Sequence, residues 1–317
     1  MLQPLLAAHW LQNMSKLLSD LSSEISSAVS VASSTVVTVL GRPRMSSSGI
    51  VWRPGLIVTS DAGLRRDEDI RVLLPDGSSV NATLKGRDPS TDLALLACDT
   101  GKTVPAAFST TTAKLGELVF TVGRTVDTGP IVTMGVVSGV AGEWRTWRGT
   151  KLDEFVRLDA NIYPTSVGGA VVDSSGSLLG IVAGGLSRSS VLAITRRTIE
   201  RVAEALSSKG RVARGYIGVG VQPVAIPSAL RQQLKIEQET GIMALSVEDG
   251  GPAAQAGIMM GDVLVTLDGH AVTSPEALHA VLDPSSVGKK ISASILRGGA
   301  MQQVTIAVAE RPVKNAA

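Results

Sequence analysis

The chain has 317 residues, 44% of them apolar and 18% charged, which is enough apolar material for a buried core and excludes global disorder. Its length exceeds one ordinary domain and suits two. A formal net charge of +2, with no Lys/Arg stripe to track a phosphate backbone, excludes nucleic acid as the expected partner.

Residues 1 to about 30 predict a helix. Leu2, Leu5, Leu6, Trp10, Leu11, Met14, Leu17, Leu18, Leu21 and Ile25 recur at spacings of three, four and one, the period of a single helical face. Two readings compete for this face: packing on its own domain or a neighbouring subunit, and a membrane-surface helix. The polar side offers only Lys16 against Asp20 and Glu24, few cations for a surface-seeking helix, so packing is expected. No apolar run reaches the roughly 18 residues of an ordinary transmembrane helix. A basic segment before the first leucines and a compact apolar stretch are both missing, which argues against a cleavable signal peptide. The compartment stays open, with a slight lean to the cytoplasm.

From about Val31 to Val191 the pattern changes to short strands. Val36–Leu40, Gly49–Trp52, Leu56–Thr59, Ile70–Leu74 and Ala82–Leu84 are separated by Gly, Pro and Asp, and Pro75-Asp76-Gly77-Ser78 is a turn. Many short strands at this spacing predict a barrel or sandwich. The one cysteine, Cys98, excludes an internal disulfide and reads as a small buried thiol at the end of an apolar run. Near Ile194–Ile199 the period returns to helical and runs to Leu206, after which Ser207-Ser208-Lys209-Gly210 reads as a stop and linker. A second unit extends from Arg214 to about Arg311, with strand-like runs at 216–221, 242–247, 263–267, 291–296 and 304–308. Helical stretches are expected at 252–256 and 275–282, and a frayed end at 313–317. The expected division is a helical segment 1–30, a β-rich domain 31–206, a linker 207–213 and a second domain 214–312.

Three segments of the β-rich domain carry a family resemblance: Ser48–Val51 through Gly55–Ala62, Asp88–Leu96, and Leu158–Val172 with its sequel Gly176–Val182. In that order and spacing they resemble the HtrA branch of the trypsin-like serine proteases. The second unit resembles a bacterial PDZ domain, through Gly215-Tyr216-Ile217-Gly218-Val219, Gly251–Ile258 and Gly261–His270. The resemblance implies a mostly β chain: a trypsin-like double β-barrel preceded by a helix and followed by an α+β PDZ domain. It also implies peptides or protein C-termini as partners, bound by Tyr216, Ile217, Gly218 and Val219. A homotrimer or a hetero-oligomer with active relatives is implied as the assembly. Neither a cofactor nor a metal is expected.

The same resemblance places the catalytic positions and finds two of three replaced. A serine protease needs a hydroxyl nucleophile, an imidazole in hydrogen-bond reach and a group that orients the imidazole. Aligned on Gly168-Gly169, the nucleophile position holds Val167; aligned on Leu56–Thr59, the base position holds Ala62; Asp92 alone matches. The histidine argument stands without alignment, because the three histidines are His9, His270 and His279, none between 31 and 206. The oxyanion loop is altered too: Thr165 stands two before Val167, where the family has glycine, making the backbone geometry costlier. Losing triad members costs on the order of 10⁶ in kcat. Ser166, one residue out of register, reads as a serine bonding its own loop; Lys114 and Lys151 are partners for it in name only. The expected function is therefore an inactive HtrA-like homologue that binds peptides through its PDZ domain, as adaptor, chaperone-like or regulatory subunit. The alternative is an endopeptidase of protein quality control with a non-standard centre.

Overall fold

The structure, a computed structural model, describes residues 3–146, 151–187 and 189–312. Leu2 and the expected frayed end at 313–317 lie outside the described residues. The chain divides into two compact units, Met1–Trp144 with Leu152–Arg211, and Arg145–Lys151 with Val212–Ala317. Among the described residues no helix is long and apolar enough to cross a membrane.

The first unit opens with helix α1 (Gln3–Ser33). Of its residues from Asn13 on, only Ala28 and Ala32 are buried. Small side chains permit this approach: a Cβ on Gly176 would lie 2.7 Å from the Ala28 carbonyl oxygen. Helix ends leave carbonyls without intrahelical partners; here the Arg124 guanidinium donates to Ser33 O at 2.8 Å and to Val36 O at 2.8 Å.

Six strands then close the first barrel: β1 (Val36–Leu40), β2 (Ser47–Arg53), β3 (Leu56–Thr59), β4 (Ile70–Leu73), β5 (Ser79–Asp88) and β6 (Leu93–Ala97). Their order is β1-β2-β3-β6-β5-β4, with β4 returning to β1. Closure removes free edges, and β-branched residues such as Val37, Val39, Val51, Ile57 and Val72 fill the interior. The second barrel begins with β7 (Leu118–Thr125) and β8 (Gly129–Ala141), and two-residue strands β9 (Trp144–Arg145) and β10 (Lys151–Leu152) follow. It is completed by β11 (Phe155–Ala160), β12 (Ala170–Val172), β13 (Leu178–Val182) and β14 (Val191–Thr195), closed in the order β11-β14-β13-β12-β7-β8.

Helix α2 (Arg196–Lys209) follows. Ile194 and Thr195, read from the sequence as the start of this helix, instead end β14, because barrel closure pairs them with Ile181 and Gly180. The helix also continues past Leu206 to Lys209. It stops at Gly210, whose φ of 69° is the left-handed cap that glycine adopts without strain. Cys98 is half-buried rather than buried, since its amide hydrogen-bonds Gly55 O at the barrel rim.

The second unit contains β15 (Gly215–Tyr216), β16 (Val219–Ala225), α3 (Ser228–Leu234), β17 (Thr240–Val247), α4 (Pro252–Gln255), β18 (Val263–Leu267), β19 (His270–Ala271), α5 (Pro275–Val281), β20 (Lys290–Arg297), β21 (Ala300–Ala307) and β22 (Ala309–Glu310). The main sheet runs β16-β17-β18-β20-β21, so β16 is an edge strand, and α5 packs beside it. The run 216–221, expected as one strand, is broken at Ile217-Gly218 because Gly218 turns the chain at φ 76°. Helix α3 was not anticipated; its only signal is Leu230 and Leu234, four apart after Pro227.

Candidate functional site

Asp92 sits at the tight turn into β6 with φ 57°, a left-handed conformation that Asp tolerates better than most residues. Only 1% of it is exposed. Its carboxylate accepts hydrogen bonds from four neutral donors. Ser60 Oγ lies 2.8 Å from both oxygens, and the Ala62 amide donates to Oδ1 at 2.8 Å. The amides of Gly184 and Gly185 donate to Oδ2 at 2.6 and 2.9 Å. Burial pushes this carboxyl above the ordinary range, and the four donors oppose that shift. Arg42 feels its field, although burial and Arg65 hold that guanidinium below its usual value.

Val167 and Ala62 meet Asp92 at the same two glycines. A Cβ on Gly184 would lie 2.5 Å from Val167 Cγ1 and 3.3 Å from Ala62 Cβ, and one on Gly185 would lie 3.2 Å from Asp92 Oδ1. Fold closure thus gathers three residues that the sequence separates widely.

The loop carrying Val167 makes one 3-10 turn, Pro164–Ser166, in which the Ser166 amide donates to Tyr163 O at 2.8 Å. Ser48 pins this turn from β2. Its Oγ donates to Thr165 O at 2.7 Å and its amide to Val167 O at 2.9 Å, while the Arg124 amide donates to Ser48 Oγ at 2.9 Å. Gly168 must be glycine: φ is 82°, and a Cβ would meet Ser48 O at 2.3 Å. Ser166 is buried, with its Oγ 2.7 Å from where a Cβ on Gly123 would stand. Its side chain therefore faces Gly123, whereas Val167 faces Gly184.

The chemistry available here is narrow. Ser60 is fully buried, so its hydroxyl beside the Asp92 carboxylate meets no solvent. Burial, then the charge of Asp99, raises the Cys98 thiol and disfavours the nucleophilic thiolate. Lys114 is exposed. His270 and His279 are exposed in the second unit, and His9 lies in α1.

The second unit holds a loop of different character. Ile217 is buried in the core, its carbonyl accepting from the Ala253 amide at 2.8 Å, and Gly218 O accepts from the Glu248 amide at 2.9 Å. These bonds fix the loop Tyr216–Val219, and the Tyr216 hydroxyl closes onto the Glu248 carboxylate. Among the described residues the amides of Ile217 and Gly218 donate to no protein group. Successive free amides around a glycine form an anion-binding concavity, here beside the free edge of β16.

Comparison with known proteins accords with both units. Residues 47–181 match the trypsin-like peptidase domain and residues 215–308 the PDZ domain. The chain has the HtrA-type fold. The chain is 32% identical over 280 residues to a probable periplasmic serine endoprotease, DegP-like, of Brucella suis biovar 1 (strain 1330), covering 86% of the chain and 54% of that relative. It is 28% identical to the chloroplastic Protease Do-like 1 of Arabidopsis thaliana, covering 86% of the chain and 66% of the relative. The chain thus spans about half the length of the Brucella relative. Among solved structures, the serine endoprotease from Yersinia pestis superposes with a TM-score of 0.71 at 29% identity, covering 91% of this chain and 98% of that one. The HtrA-type protease AlgW with decapeptide gives 0.72 at 27% identity, covering 91% and 99%.

Sequence reasoning missed Ser60, Gly184, Gly185 and Ser48. Ser60 was within reach as a hydroxyl two residues before Ala62. Gly184-Gly185 lay just beyond the matched strand Gly180–Val182, a glycine pair with no side chain to attract notice.

Proposed function

We propose that this HtrA-type chain is a catalytically inactive protease homologue that binds peptides or protein C-termini through its PDZ domain. In this reading Ala62 stands at the general-base position and Val167 at the nucleophile position. Asp92, the retained third member, has become a structural residue. The observation that carries the reading is the Asp92 carboxylate itself: Ser60 Oγ and three backbone amides occupy it, and the sequence has no histidine between residues 31 and 206 for it to orient. Val167 presents a branched apolar side chain to Gly184 in place of the attacking hydroxyl. The Thr165 carbonyl bonded to Ser48 supports a loop held in a non-catalytic 3-10 turn.

Binding follows from the second unit. An extended peptide adds to the free edge of β16 by main-chain hydrogen bonds, beside α5, and its terminal carboxylate enters the recess of Ile217 and Gly218 amides. Capture without cleavage suits an adaptor, a chaperone-like protein or a regulatory subunit.

The deciding experiment is turnover of an unfolded model substrate by wild type, Ser166→Ala and Asp92→Ala. No turnover above buffer, or turnover that neither substitution changes, is expected. Activity abolished by either substitution would show a working centre and defeat the proposal. In parallel, the full chain is titrated with a panel of C-terminal peptides and their amidated forms; binding of the free acids alone is expected, and uniformly undetectable binding defeats the PDZ half.

A further inference from the structure

The register of the edge strand β16 fixes how an added peptide is read. Gly218 O accepts from the Glu248 amide at 2.9 Å, so Gly218 faces β17, and alternation turns the main chain of Val219 to the open edge. Opposite Val221, Ala244 spends its amide on Asp262 O and its carbonyl on the Gly261 amide, both at 2.8 Å. The Val221 main chain is therefore left on the open edge as well. The next such position is Pro223, which has no N–H to give. Main-chain pairing weakens beyond Val221, and selectivity is concentrated in the last residues of the peptide.

Side chains divide by face. Val219, Val221 and Val247 pack on the core, whereas Gly220, Ser246 and Glu248 are exposed on the other side. A strand added antiparallel to β16, its terminal carboxylate at the Ile217 and Gly218 amides, sets its second-to-last residue opposite Gly220. Cross-strand partners share a face, so that side chain projects over Gly220 on the exposed side. Nothing fills this place, and a Cβ on Gly220 would stand 2.5 Å from Ser246 Oγ. Gly218 is the diagonal neighbour of the same peptide residue, about 7–8 Å away and within reach of a long side chain. Glu248 covers Gly218: a Cβ there would lie 3.4 Å from both Cβ and Oε2 of Glu248. The Tyr216 hydroxyl donates to this carboxylate and holds it beside the carboxylate-binding amides. Asp249, also exposed, adds a second negative charge. Among the described residues no Lys, Arg or His forms an ion pair with either of them.

A negative charge fixed beside an anion-binding loop opposes every free C-terminus, and a cation carried by the ligand offsets the opposition. We propose that Glu248 is a specificity-determining residue, selecting C-termini with lysine or arginine at the second-to-last position. The inference rests on the PDZ-binding reading above and is independent of whether the barrel is catalytic.

Calorimetric titration of the full chain tests it. The probe is the tightest-binding free acid of the C-terminal panel, remade with lysine, alanine or glutamate at its second-to-last position. One exposed charge contact changes affinity by up to about fivefold. The lysine form is thus expected to bind about fivefold tighter than the alanine form, and the glutamate form about fivefold weaker. Raising sodium chloride to about 0.5 M is expected to narrow the spread. Glu248→Gln should bring the three affinities together, and Glu248→Lys should reverse their order, which misfolding does not imitate. Equal affinities in wild type, or an order that both substitutions leave intact, overturn the inference while the PDZ reading stands. Undetectable binding across the whole panel overturns both.

Discussion

Replacing Asp92 with alanine separates a structural carboxylate from a catalytic one. The substitution removes the acceptor of the Ala62, Gly184 and Gly185 amides and of the Ser60 hydroxyl. Each buried donor left without a partner costs about 1–3 kcal/mol. Two effects reduce the sum. The desolvation of a buried carboxylate disappears with it, and the vacated space admits a water that re-satisfies two donors. The hydroxyl rotates to another acceptor. One or two orphaned amides remain, so the first unit is expected to lose about 2–4 kcal/mol. For a domain of this size that lowers its thermal midpoint by about 5–10 °C. Differential scanning calorimetry gives the midpoint, and hydrogen exchange of the Gly184 and Gly185 amides locates the effect. Both amides are expected to exchange faster in Asp92→Ala. A midpoint within a degree of wild type, with those two amides unchanged, would refute the view that the carboxylate clamps the β13–β14 connection to the turn before β6.

Further expectations follow from the same geometry. Installing Ala62→His, Val167→Ser and Thr165→Gly together is expected to raise turnover of an unfolded substrate by at least about 100-fold, the scale of general-base catalysis; equal activity from Val167→Ser alone would mean that a base is supplied from elsewhere. Gly218→Ala forces a side chain into φ 76° with its Cβ 3.4 Å from Glu248, at a cost of about 1–2 kcal/mol, and calorimetric titration should show C-terminal peptide affinity reduced by about tenfold or more. The two units should respond to acid in opposite directions. Burial raises Asp92 in the fold, so its contribution is full below the unfolded carboxylate range and is lost as pH rises through the raised value. Burial also acts on Asp262, but hydrogen bonds from Arg297 at 2.6–2.7 Å and from the Met259 amide outweigh it and lower the carboxyl. Its contribution is present above the unfolded range and is lost as pH falls through the lowered value. Unfolding followed against pH in Asp92→Asn and Asp262→Asn should flatten one dependence each; a profile unchanged by either substitution contradicts the corresponding assignment.

The sequence by itself determined what depends on local pattern. Short runs of β-branched and other apolar residues bounded by Gly, Pro and Asp specify strands such as Val36–Leu40 and Leu56–Thr59, and the helical spacing of Leu11, Met14, Leu18 and Leu21 specifies α1. Counting alone excludes an imidazole between residues 31 and 206. Tertiary structure decided whatever rests on pairing across long separations. Gly184 reaches Asp92 across 92 residues, and Ser48 reaches the Thr165 carbonyl across 117. Only closure of the two barrels fixes the strand registers that bring these groups together, and local propensity carries no record of them. The same reason explains Ile194 and Thr195, whose helical spacing yields to cross-strand partners on β13. It also explains α1: its period gives it an apolar seam, but only the packed barrel shows that Ala28 and Ala32 are covered while Leu18 and Leu21 are left to solvent.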